Sequence, residues 1–147
     1  TVVAALCIGN KLYVVNIGDS RLYKIQNNVS RLTQDQSLVA REISAGKLAP
    51  DQEEKDTRRN VLLQCVGASQ VLQPEFLEYT LESNTVYLLC TDGFRHEIQE
   101  PELLGLLSPR VVRSERGMQD VLAEIIGLLQ QRNEQDNMTG VAFKTVQ

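Results

Sequence analysis

The 147 residues include no tryptophan, one histidine and three cysteines, and no apolar run in them reaches bilayer length. The cysteines, Cys7, Cys65 and Cys90, lie far apart inside apolar runs. With no C-x-x-C and no even count they exclude a disulfide framework or a structural zinc site. The sequence therefore reads as cytoplasmic, with all three thiols as core fillers. The longest apolar opening, TVVAALCIG, falls well short of the roughly 20 residues of a membrane span. It also lacks the initiator Met and basic segment of a signal peptide. Basic residues are not in excess: 15 against 19 acidic give a formal charge of -4, which excludes a broad cationic face for nucleic acid. No repeat, low-complexity tract or linker interrupts the chain, so one domain is expected. A start inside what reads as a core strand predicts a piece of a longer domain.

What is present is a meander followed by helices. From Val2 to Leu32 short apolar bursts are separated by Gly9-Asn10, Gly18-Asp19-Ser20 and Asn27-Asn28, a pattern of antiparallel strands in which the Asn pair suits a tight hairpin through positive φ. Ser37 is placed to cap a helix running to Ser44, with Gly46 as its stop. Residues 45–60 are almost devoid of apolar side chains and read as a flexible flap, with one short helical turn begun at Pro50. Strand character returns over 61–66, 74–81 and 85–90. Helices are expected over 100–107 and 115–132, the second with Met118, Val121, Leu122, Ile125, Leu128 and Leu129 on one stripe that covers a sheet. A last strand closes the chain over 138–146. The fold class is α+β, with helices packed on antiparallel sheet.

Three acidic residues stand where a strand gives way to a turn: Asp19 in IGDSR, Asp92 in LLCTDG and Asp136 in EQDNMTG. Taken singly, Asp19 and Asp136 are ordinary turn residues, since Asp bonds its own backbone there. Brought together, such carboxylates repel and need a compensating cation. All-oxygen ligands suit a hard ion such as Mg²⁺ or Mn²⁺. Gly93 beside Asp92 would let another group come close.

The ordered set GDSR, LTQDQSLV, a polar stretch ending RRNVL, LLCTDGF and QRNEQDNMTGVAF resembles the later part of the catalytic domain of PPM-type (type 2C) serine/threonine protein phosphatases of bacterial kind, over essentially the whole chain. The resemblance implies a sandwich of two antiparallel sheets flanked by helices, with a two-metal centre at one end. It implies metal-dependent hydrolysis of phosphoserine and phosphothreonine in proteins, with Mn²⁺ or Mg²⁺. Asp92 and Asp136 match two metal-ligating aspartates, and Asp19 matches an aspartate that can hold a third, weaker ion. Asn137 would organise the loop. Partners would be phosphorylated proteins and a serine/threonine kinase, with no nucleic acid and no membrane. A two-metal site acidifies water and clamps the phosphoryl group, so no protein nucleophile is required and no side chain here is assigned as catalytic.

The departures matter as much. The family's early acidic residue and its DG-M/H-G-G motif, with the bridging aspartate, are absent, so this piece in isolation is expected to be a poor enzyme or none. Arg95 stands beside the metal position and could attract phosphate, though Arg95 and His96 also read as solvated loop residues. Gln36 occupies a position where many relatives carry histidine. Arg58-Arg59 either meets substrate or is a solvated basic pair. Two other chemistries fail: Cys90 and Arg95 are one residue too close for a thiolate-phosphatase loop, and a Ser-His-Asp hydrolase finds no G-x-S-x-G elbow. The remaining alternative is a catalytically inactive phosphatase-like module that binds phosphoproteins or regulates.

Overall fold

The computed structural model describes residues 1–146, the side chain of Glu54 excepted. β1 (Val2–Ile8) and β2 (Lys11–Ile17) form a hairpin with Val2 opposite Ile17 and Ile8 opposite Lys11, turned by Gly9 at φ 58°. β5 (Glu75–Thr80) adds to the free side of β2, giving the antiparallel order β1-β2-β5. A second antiparallel sheet runs β4-β3-β6-β7, from β3 (Arg21–Ile25), β4 (Val29–Arg31), β6 (Val86–Cys90) and β7 (Gly140–Lys144).

Period-2 alternation puts Leu12 and Val14 of β2 on the face that meets Leu22 and Tyr87 of the second sheet, with Val3, Ala5, Leu77 and Phe143 around them. Tyr87 and Phe143 stack with centroids 5.0 Å apart. On the other face of the second sheet, Tyr23, Ile25, Val86, Leu88 and Cys90 pack under Phe94, Leu103, Leu107, Ile125 and Leu129. Both faces of β6 are thus covered, which is why it reads as an unbroken apolar run. Each fully buried Leu or Ile contributes about 1.5–3 kcal/mol. The layers are sheet, sheet, helices. Among the described residues the helices cover one sheet only: on the β1-β2-β5 sheet Leu6, Ile8 and Phe76 remain exposed, Phe76 at 77%.

The helices begin and end where the capping chemistry places them. Ser37 accepts a hydrogen bond from Ala40 N at the start of α1 (Leu38–Ser44), and Gly46 turns the chain at φ 69°. α2 (Asp92–Arg95) is a single turn after β6 that the sequence reading omitted. α3 (Glu100–Leu107) precedes α4 (Glu115–Gln131), which Ser114 caps through Gly117 N. α4 closes with Asn133 at φ 64° and paired bonds from Asn133 N to Gln130 O and Glu134 N to Leu129 O, the left-handed arrangement that satisfies terminal carbonyls.

Three expectations are corrected. Residues 61–66 form no strand: one bridge joins Leu62 to Ser37, and Gly67 at φ 84° turns the chain away. The Asn27-Asn28 hairpin exists, but neither residue has positive φ; among non-glycine residues described, only Asn84 and Asn133 do. A three-residue link, with Gln26 N bonding Asn28 O, turns the chain instead. Of the three cysteines only Cys90 is core, because Cys7 lies exposed on edge strand β1 and Cys65 is half-exposed. The flap carries the expected short turn as a 3₁₀ helix, Pro50–Lys55, and is joined to the sheet and to α1 by ion pairs.

Candidate metal centre

β2, β6 and β7 each deliver one acidic turn. Asp136 lies in the loop before β7, and β7 pairs with β6 through Cys90 opposite Gly140. Thr91 ties the two: its hydroxyl donates to Asn137 O at 3.0 Å and accepts from Thr139 N at 3.1 Å, while Thr91 N donates to Thr139 O. Gly93 completes the approach. A Cβ there would lie 2.9 Å from Asn137 O and 3.0 Å from Asp136 Cβ, so only glycine lets the Asp136 loop lie against the start of α2. The group for which Gly93 makes room is the Asp136-Asn137 backbone. Each carboxylate also braces its own turn: Asp92 accepts from Gly93 N at 2.9 Å and Asp136 from Asn137 N at 2.7 Å.

Asp19 follows β2 and is buried at 8% exposure. Its carboxyl is held above the ordinary range, first by burial and then by the negative charges of Asp92 and Asp35, with Arg95 pulling the other way. Asp92 is thus joined to the Asp136 loop through its neighbour Gly93, and its charge is felt by Asp19. Among the described residues no three His, Cys, Asp or Glu side chains converge as a metal-binding group. The donors suit a hard cation in kind, all being carboxylate oxygens, and are too few to enclose one.

Beside this edge lies a buried ionic network that sequence reading missed. Arg21 donates through Nε and Nη2 to both oxygens of Asp35, at 2.7–3.1 Å, and through Nη1 to the Tyr23 hydroxyl at 3.1 Å. Burial opposes the charge on Arg21, but Asp35 and Tyr23 more than offset it and its pKa is raised. Arg95 Nη2 lies 3.5 Å from the same Asp35. Glu53 of the flap meets Arg21 at 2.7 Å and Arg31 at 3.6 Å. Asp35, from LTQDQ, therefore anchors one arginine two residues after Asp19 and another three residues after Asp92. The residues were visible in the motifs; their pairing across 14 and 60 positions was not.

Arg95 is not a solvated loop residue: its side chain is 7% exposed, turned against Asp35, and it lines a small polar pocket with Asp19, Asp35, Glu53, Arg59 and His96. Gln36 is structural, accepting from Gly18 N and donating to Gln73 O, both at 2.9 Å. Arg58 is engaged by Asp56 and Glu42. Burial pushes the Cys90 thiol up to about 12, the opposite of an activated thiolate.

Fold and site define a class: a two-sheet sandwich with helices on one sheet and acidic strand ends gathered along one edge. No family model matches the sequence. A serine/threonine phosphatase Stp of Listeria innocua is 31% identical over 117 residues, 79% of this chain and 46% of that protein. A protein phosphatase PhpP of Streptococcus pneumoniae is 33% identical over 102 residues, 69% of this chain and 42% of that protein. The Mycobacterium tuberculosis serine/threonine phosphatase PstP/Ppp superposes with TM-score 0.85 over 99% of this chain and 59% of that one, and at 23% identity it shows the fold. The catalytic domain of a serine/threonine protein phosphatase PstP, solved in complex with two manganese ions, gives TM-score 0.81 over 99% of this chain and 58% of that one at 23% identity. By sequence and by fold the chain is related to the bacterial PPM-type serine/threonine phosphatases. It spans about half the length of the curated relatives it matches.

Proposed function

We propose that this chain forms part of a metal-dependent phosphatase acting on phosphoserine and phosphothreonine in proteins, with Asp92 and Asp136 holding Mn²⁺ or Mg²⁺ and Asp19 serving a further ion. The observation that carries the reading is the close packing of the Asp136 loop on Gly93, which sets two strand-end aspartates on one edge. The manganese-bound relative of the same fold supports the choice of cation. A bound divalent ion supplies Lewis acidity toward a phosphoryl oxygen and acidifies water. The chain's own contribution is placement. Thr91 and Gly93 lock the Asp136 loop, Asp35 holds Arg95 near Asp19, and Arg95 on the pocket wall adds positive charge where a phosphoryl group would approach. Its substrates would be phosphorylated proteins, its counterpart a serine/threonine kinase and its compartment the cytoplasm. The ligands still needed lie beyond these three aspartates, as in the expected later part of a catalytic domain.

The deciding experiment is Mn²⁺-dependent hydrolysis of a phosphothreonine peptide, with and without chelator. It is run on this chain and on a chimera that adds the part of a relative this chain does not match. Activity is expected in the chimera, lost on chelation and abolished by Asp92→Asn or Asp136→Asn, while Asp19→Ala weakens turnover and raises the metal requirement. Full activity of Asp92→Asn would overturn the metal assignment. A second reading, an inactive phosphatase-like module that binds phosphoproteins, is favoured by the lack of three convergent ligands among the described residues. A folded chimera without activity would select it.

A further inference from the structure

Glu53, Arg59 and Asn60 of segment 45–60 line the pocket that contains Asp19, and the Glu53 carboxylate ties the segment to the sheet. Nη2 of Arg21 and Nη1 of Arg31 converge on the same atom, Oε1 of Glu53, at 2.7 and 3.6 Å. Arg21 is buried and fixed by Asp35 on its other edge, so its outward donor has a set direction. Arg31 is about one-third exposed. Two guanidinium groups aimed at one oxygen are the arrangement that binds carboxylate or phosphate oxygens equally well. The two ends of the segment are held separately, by Ala45 N, Gly46 N and Lys47 N on carbonyls of α1 and by Arg58 on Glu42 of α1 at 2.8 Å, so release at Glu53 would free the middle of the segment between those anchors.

We propose that Glu53 is the resident occupant of an oxyanion seat formed by Arg21 and Arg31, and that a phosphate group competing for this seat releases the segment from the Asp19 pocket. Phosphate as the trigger rests on the phosphatase reading above; the latch itself does not. With Glu53 in place the pocket wall presents a carboxylate next to Asp19 and Asp35; with Glu53 displaced, Arg21 and Arg31 face the incoming anion. The segment then works as a gate opened by the chemical group the site would receive.

Limited trypsin digestion tests this without reading turnover. Cleavage after Lys55, Arg58 and Arg59, all exposed, is followed by mass spectrometry against the exposed Arg116 on α4 as internal reference. Glu53→Gln should speed cleavage in the segment about two- to fivefold, the size expected for a partly exposed pair, and leave the Arg116 site unchanged. Arg31→Gln should act in the same direction. Inorganic phosphate should speed segment cleavage in the unmodified chain beyond sodium chloride of equal ionic strength, and add nothing in Glu53→Gln. Equal rates for the unmodified chain and Glu53→Gln overturn the latch. So does acceleration at Arg116 in parallel, which marks general loosening. Chloride acting as strongly as phosphate overturns the oxyanion seat. The phosphatase reading is decided separately by the peptide assay.

Discussion

At the scale of single residues, the chemistry of this chain turns on which charges are buried and which partner each one has. Asp35 is 3% exposed and satisfies a buried guanidinium with three hydrogen bonds. Asp35→Asn removes the buried carboxylate that Arg21 bonds three times, leaving it the charge of the more exposed Glu53, and should cost about 3–5 kcal/mol in urea unfolding. Glu53→Gln, at a half-exposed end of the same network, should cost under about 1 kcal/mol. Comparable losses for the two would show that the burial difference does not govern the network. Cys90 makes an opposite case. Its thiol, pushed up to about 12 by burial, carries almost no thiolate at pH 8. Alkylation at pH 8 should therefore label exposed Cys7 and spare Cys90 until the chain unfolds. Cys90→Ser should leave any phosphatase activity nearly intact; prompt labelling of Cys90 in the folded state would reopen the thiolate chemistry.

At the scale of elements, two close approaches join α2, β7 and the loop between α4 and β7. Gly93 accommodates the Asp136 loop, and Gly140 accommodates Phe94, whose ring would lie 2.7 Å from a Cβ there. Gly93→Ala should cost about 1–3 kcal/mol through overpacking against backbone that cannot move away cheaply. It should also weaken Mn²⁺ binding in calorimetry on the chimera, because the Asp136 loop must shift. Unchanged affinity would mean that the approach of these elements does not set the site. The helix signals were legible because they are local: Ser37, Ser114, Gly46 and the α4 stripe act within one or two turns of sequence. Ser114→Ala should lower stability by about 1 kcal/mol, measured by thermal unfolding. Residues 61–66 were misread for the converse reason. Their apolar composition favours a strand, but a strand needs a partner along its length, and the fold offers Leu62 a single bridge.

At the scale of the whole molecule, two sheets and one helical layer form a sandwich in which every strand pair is antiparallel and every candidate ligand leaves from a strand end. Alternation, turn residues and caps are properties of neighbours in the chain, so the sequence by itself determined the order of the elements apart from the strand expected over 61–66 and the short α2, the α+β class and the acidic turns at Asp19, Asp92 and Asp136. Its motifs also carried the relationship to the PPM-type phosphatases. Which turns meet was decided only by tertiary structure. The β6-β7 pairing brings Asp136 to Gly93, and Asp35 reaches Arg21 and Arg95 across intervals that no local pattern encodes. The same holds for Glu53. On the sequence it is one acid in a polar stretch; in the fold it stands on the pocket wall, paired with two arginines from neighbouring strands.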